Sequence, residues 1–125
     1  LFVPQDRIAY LSEVFFNEEF PNMAGGYGVS RVKALDAFRA LDADLFIPGH
    51  GPISRRSDVM KFKADLETMR TRLAGLAKQG ASKDDIVKTL EKDYGWRSTG
   101  CPLTPPTPGC LQYQQADALI AELKQ

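Results

Sequence analysis

The only histidine in this 125-residue chain, His50, lies in the run Phe46-Ile47-Pro48-Gly49-His50-Gly51-Pro52. An amphipathic segment and a short apolar one precede it, which places His50 at a strand end, on a glycine-flanked turn. Turns of this kind are where α/β proteins put ligand-binding side chains. The glycines leave room around the imidazole and the prolines stiffen both flanks. Two roles fit such an imidazole: a metal ligand, or a structural histidine on a tight turn. One histidine cannot by itself build a zinc hydrolase centre, which takes three protein ligands and an open position.

Other residues with chemical potential are fewer. Cys101 and Cys110 bracket a loop with prolines at 102, 105, 106 and 108. They form either a disulfide, which implies an oxidising compartment, or two separate thiols. No further cysteine or histidine lies nearby to make a zinc site there. Arg55-Arg56 follows the His50 turn and either steers an anionic substrate or is a solvated pair at a helix start. Phe20 and Tyr27 fall in a glycine-rich loop, where they line a substrate pocket or simply pack.

The elements that must position these residues are readable in outline. Leu1-Phe2-Val3 and Ile8-Ala9-Tyr10-Leu11 are short apolar runs around a turn at Pro4-Gln5-Asp6-Arg7, and Val14-Phe15-Phe16 extends the second run. Residues 17–29 read as a loop with Pro21, Gly25, Gly26 and Gly28 as breakers. Ser30 is suited to cap a helix over roughly 31–42, with Val32, Leu35, Phe38 and Leu41 as its apolar stripe. Asp44–Ile47 is then a buried strand leading to His50. Strand, helix and strand in this order suggest an α/β layer.

From Ser57 the pattern turns helical. Val59, Phe62, Leu66, Met69, Leu73 and Leu76 make a 3-4 seam over about six turns. It packs on its own domain or, alternatively, drives self-association. Gly80 is a stop signal, and Ser82-Lys83-Asp84-Asp85 resembles a capping box ahead of Ile86, Leu90 and Tyr94. A proline-rich loop covers 97–109, and Ala116, Leu119, Ile120 and Leu123 mark a last amphipathic helix.

Taken together, Leu1–Pro52 resembles the C-terminal half of a metallo-β-lactamase-fold hydrolase. In that family a strand bearing an acidic metal ligand leads through a loop and a helix to a strand ending in Pro-Gly-His-Gly. The matching stretches are Leu11-Ser12-Glu13-Val14-Phe15-Phe16-Asn17, then Ser30–Asp42, then Asp44–Pro52. The resemblance implies an α/β fold: the C-terminal half of an αββα sandwich over residues 1–55, followed by a helical C-terminal extension over 56–125. It implies a one- or two-metal site, usually zinc, whose bound water attacks an ester, thioester, amide or phosphoester. His50 matches the family's last histidine ligand. Glu13 falls where the family has the aspartate of a Gly-Asp pair, replaced here by Ser12-Glu13. A glutamate is one methylene longer. It either coordinates, marks an altered or one-metal site, or is a solvated strand carboxylate that must lie at an edge or find a partner.

The family's His-x-His-x-Asp-His motif and another histidine ligand belong to its N-terminal half, and no second histidine exists here. His50 and Glu13 are therefore the only candidate metal ligands. The chain alone is not expected to hold a catalytic zinc tightly, nor necessarily to bind any metal. No catalytic or substrate-binding residue is assigned. The chain has no initiator Met and opens on a strand, as expected of a segment cut from something longer or of a processed product. Two functions follow. One is a fragment of a metal-dependent hydrolase, incomplete as a catalyst alone. The other is a non-catalytic, self-associating remnant or oligomerising scaffold. Half a sandwich leaves open edges and an apolar face, so the expected partners are further copies of the chain or the missing N-terminal half.

Lys+Arg and Asp+Glu number 16 each, so the formal net charge is zero, against a nucleic-acid surface. No apolar run approaches the ~20 residues of a membrane span, and no signal peptide is evident. A cytoplasmic location is expected, or a periplasmic one if Cys101 and Cys110 are joined.

Overall fold

The structure, a computed structural model, describes residues 1–21, 27–94, 117, 120 and 121. Six elements follow in the order β1 (Phe2–Val3), β2 (Ile8–Phe16), α1 (Tyr27–Arg39), β3 (Leu45–His50), α2 (Arg56–Lys78) and α3 (Lys83–Tyr94). The result is a mixed α/β fold with a three-stranded sheet in the order β1-β2-β3. β1 pairs antiparallel with β2, and β2 pairs parallel with β3. Parallel pairing demands a crossover, and α1 supplies it.

Strand alternation assigns the two faces of the sheet. Ala9, Leu11 and Phe46 point to the buried side, where they join Leu35 of α1 and Val59, Phe62, Leu66, Met69 and Leu73 of α2 in one core. Val59, Phe62, Leu66, Met69 and Leu73 of the α2 seam are thus buried inside their own chain, as the intramolecular reading expects. Phe15 meets Phe62 edge-on, with ring centroids 5.3 Å apart and planes at 68°. Ile86 and Leu90 of α3 enter the same core. One hydrophobic core therefore runs through both sides of the boundary drawn at residue 55. The capping box at α3 is real: the Asp85 backbone N–H donates to Ser82 Oγ at 3.2 Å, and the Ser82 backbone N–H donates to Asp85 Oδ2 at 3.3 Å.

Helix α1 departs from the sequence reading. It starts at Tyr27, not after Ser30, so Ser30 lies inside the helix and is not its N-cap. It ends at Arg39, short of residue 42. The final turn tightens through Ala40 N–H to Ala37 O and Leu41 N–H to Phe38 O. Arg56 then reaches over from α2 and donates to the carbonyls of Arg39, Leu41 and Ala43. A guanidinium at the negative end of a helix satisfies carbonyls that have no partner within the helix. Arg56 is thus an anchor of α1, not half of a free basic pair. Strand β3 is longer than expected, continuing through Pro48 to His50. Proline is tolerated there because β3 is an edge strand.

Arg7 fixes the start of β3. Its carbonyl accepts from the Asp44 and Leu45 backbone N–H groups. Its guanidinium donates to both Asp44 carboxylate oxygens, at 2.7 and 2.9 Å, and to Asp42 at 2.6 Å. The Arg7 guanidinium holds the Asp44 carboxyl below its ordinary 3.8, and hydrogen bonds from Ser82 do the same for Asp85. A carboxylate with a lowered folded-state pKa contributes stability that is complete above the unfolded pKa and disappears as pH falls through the folded one. Stability is therefore expected to be level above about pH 5 and to decline once pH drops below about 4. Urea titrations at several pH values check this. Arg7→Met should lose more stability at neutral pH than in acid, because it deletes the Asp44 share of that slope.

The other face of the sheet is partly exposed: Val3, Ile8 and Ile47 are half-buried, and Leu1, Tyr10 and Leu45 are exposed. Val3, Ile8 and Leu45 stand in one registered row. Leu1 exchanges backbone hydrogen bonds with Tyr10, and Tyr10 is registered with Ile47, giving a second row. Leu1 is 82% exposed, Tyr10 43% and Leu45 37%. Among the described residues no helix is long and apolar enough to cross a membrane. In the tail, Asp117, Ile120 and Ala121 are helical; Asp117 accepts from Lys83 Nζ at 2.7 Å, and Ile120 rests on the core. Cys101, Cys110, the proline-rich loop, Ala116, Leu119 and Leu123 lie outside the described residues.

Candidate metal centre

Glu13 and His50 come together although 37 positions separate them. His50 Nε2 lies 3.2 Å from Glu13 Oε1, with the side chains 41% and 59% exposed. The carboxylate thus has both properties expected of it, a partner and a position in reach of water. Both residues sit toward the carboxyl ends of the parallel strands β2 and β3, where open α/β sheets bind ligands.

Local backbone irregularity brings them there. The β2–β3 register shifts between Tyr10 and Ser12 and again between Ser12 and Phe16. Bulges of this kind re-aim side chains and are common beside functional sites. Ser12 lies between the two shifts with φ 50°, in the left-handed region. A non-glycine residue there costs about 1–3 kcal/mol, which the surrounding pairing must offset. This kink carries Glu13 across the end of β3.

Gly49 makes room for it. A Cβ at Gly49 would stand 2.8 Å from Glu13 Oε1 and 2.8 Å from the Ser12 carbonyl oxygen. Gly51 closes the turn, with φ 91° and its own backbone so near Asn17 that a Cβ would fall 1.9 Å from the Asn17 carbonyl oxygen. Asn17 holds the turn from the other side. Its backbone N–H donates to His50 O and its side-chain Nδ2 to Pro52 O, each at 3.0 Å. Phe46 and Ser54 then exchange two backbone hydrogen bonds of 2.9 Å, sealing the loop that carries His50.

The imidazole is also held in plane. The buried Phe16 ring stacks on it with centroids 4.9 Å apart and planes 8° from parallel. The buried Arg31 guanidinium lies 5.6 Å from the Phe16 ring centroid. Sequence alone does not single out Phe16, Asn17 or Arg31 as site residues. Phe16 and Asn17 stand three and four residues after Glu13 in the strand motif, and that place is the available signal. Phe20 is fully buried and packs in the core.

No protein-family model matches this chain, and neither does any curated protein. The geometry must therefore carry the chemistry. Two donor atoms on one tetrahedral zinc, each about 2.0–2.1 Å from it, lie about 3.4 Å apart. The 3.2 Å between His50 Nε2 and Glu13 Oε1 is close to that bite. Imidazole nitrogen and carboxylate oxygen are both ordinary zinc donors. The pair fits half of a coordination shell and no more: among the described residues no group of three or more His, Cys, Asp or Glu side chains could hold a metal.

Proposed function

We propose that this chain is the C-terminal half of a metallo-β-lactamase-fold metallohydrolase, contributing His50 and Glu13 to a divalent metal site completed by an N-terminal half. The observation that carries the reading is the 3.2 Å approach of His50 Nε2 and Glu13 Oε1 at the ends of two parallel strands. Ser12 adds support. It holds the left-handed conformation glycine adopts most readily, at the position where the family has glycine. The partly exposed sheet face adds more. Parallel strands are ordinarily covered on both sides, and exposed apolar faces mark interaction surfaces.

In this reading the chain's own residues hold and orient. Phe16 fixes the imidazole plane, and Asn17 and Gly51 fix the turn that presents it. Gly49 leaves space for the carboxylate. A zinc held by His50, Glu13 and the N-terminal half would supply Lewis acidity and would lower the pKa of a water toward about 7. A second reading, a non-catalytic self-associating remnant, draws on the same partly exposed face, which another copy would also cover. The test is to supply an N-terminal half carrying His-x-His-x-Asp-His and assay ester, thioester, amide and phosphoester substrates. The hydrolase reading expects a stable complex with hydrolysis abolished by chelator. A stable complex without hydrolysis would leave the remnant reading standing.

A further inference from the structure

We propose that the chain alone binds zinc as a two-fold dimer, in which His50 and Glu13 of two copies form one four-ligand site. The inference rests on the reading of these two residues as metal ligands and takes it further. Each chain presents two donors with a bite suited to zinc, and the described residues offer no third. A closed zinc site takes four ligands. Two copies related by a two-fold axis supply two imidazoles and two carboxylates from one self-complementary patch.

Three features favour a second copy at this place. First, the donors are not sealed inside the chain: the side chains are 41% and 59% exposed. Gly51 and Pro52, which follow His50, are exposed and carry little bulk. Second, charge balances. Two glutamates neutralise one Zn²⁺, and chains of zero formal net charge meet without net repulsion. Third, Ile53 is 66% exposed three residues from His50, giving each copy an apolar side chain near the axis to bury on contact.

Sedimentation velocity and native mass spectrometry test this on the full 125-residue chain, purified without metal-affinity resin. Zinc at half an equivalent should produce a dimer holding one zinc per two chains, and chelator should return the monomer. His50→Ala should abolish the zinc-dependent dimer. Glu13→Gln removes two of the four ligands, one from each copy, and should weaken it by at least about tenfold. Both positions are solvent-facing, so circular dichroism should show both variants folded. One zinc on a monomer would overturn the dimer and leave the proposed function intact. No zinc binding by the chain alone would overturn the dimer, and the proposed function would then stand or fall on the N-terminal-half complementation. A dimer that persists in His50→Ala, or that ignores zinc, would overturn the shared site.

Discussion

Gly51→Ala is expected to destabilise the fold by about 3–4 kcal/mol, combining the cost of a left-handed non-glycine residue with that of a backbone clash. The two costs arise separately. At φ 91° an L-residue is strained whatever the space around it. The new methyl would also have to occupy the position 1.9 Å from the Asn17 carbonyl oxygen. That carbonyl belongs to a residue whose N–H and side chain both hold the turn, so relief requires the turn to open. For a chain of this length the melting temperature should fall by about 10–15 °C. Thermal denaturation followed by circular dichroism reads this directly. A variant melting within about 2 °C of the wild type would show that Gly51 is not locked against Asn17.

The second large effect concerns the helix beyond residue 55. Phe62→Ala should cost about 3–5 kcal/mol, as much as Phe15→Ala. Phe15 is fully buried and Phe62 is 4% exposed, and they meet edge-on across the sheet–helix boundary. Truncating either leaves a cavity in the same core. The double mutant should lose less than the sum, with a coupling of about 0.5–1.5 kcal/mol for an aromatic pair. Urea denaturation of the two single variants and the double variant closes the cycle. If Phe62→Ala cost under about 1 kcal/mol, α2 would be an appendage rather than part of the core.

Much of the scaffold was legible because its signals are local or periodic. Val59 to Leu73 repeat at helical spacing, and the same residues are buried. Ser82 and Asp85 stand at capping-box spacing and make both hydrogen bonds. The ends of α1 were not legible. Its terminus is set by Arg56, 17 residues beyond Arg39, and nothing in a local window announces that contact. The site was half legible. His50 stood out through its glycines and prolines. Glu13 stood out only through the order of strand, loop, helix and strand. Their 3.2 Å contact depends on two register shifts and on a serine in a glycine-like conformation, none of which a hydrophobic pattern encodes. The Phe16 stack was hidden for a similar reason. Phe15 and Phe16 are adjacent and both buried, which simple strand alternation forbids and the bulge permits.

The central claim is that His50 and Glu13 hold a divalent metal. A ¹⁵N–¹H spectrum of the imidazole nitrogens during a zinc titration tests it most directly, because one histidine gives one set of signals. The account predicts that the Nε2 resonance moves as zinc is added, returns on chelation, and in Glu13→Gln needs about tenfold more zinc to move as far. An Nε2 signal unmoved by millimolar zinc would contradict it.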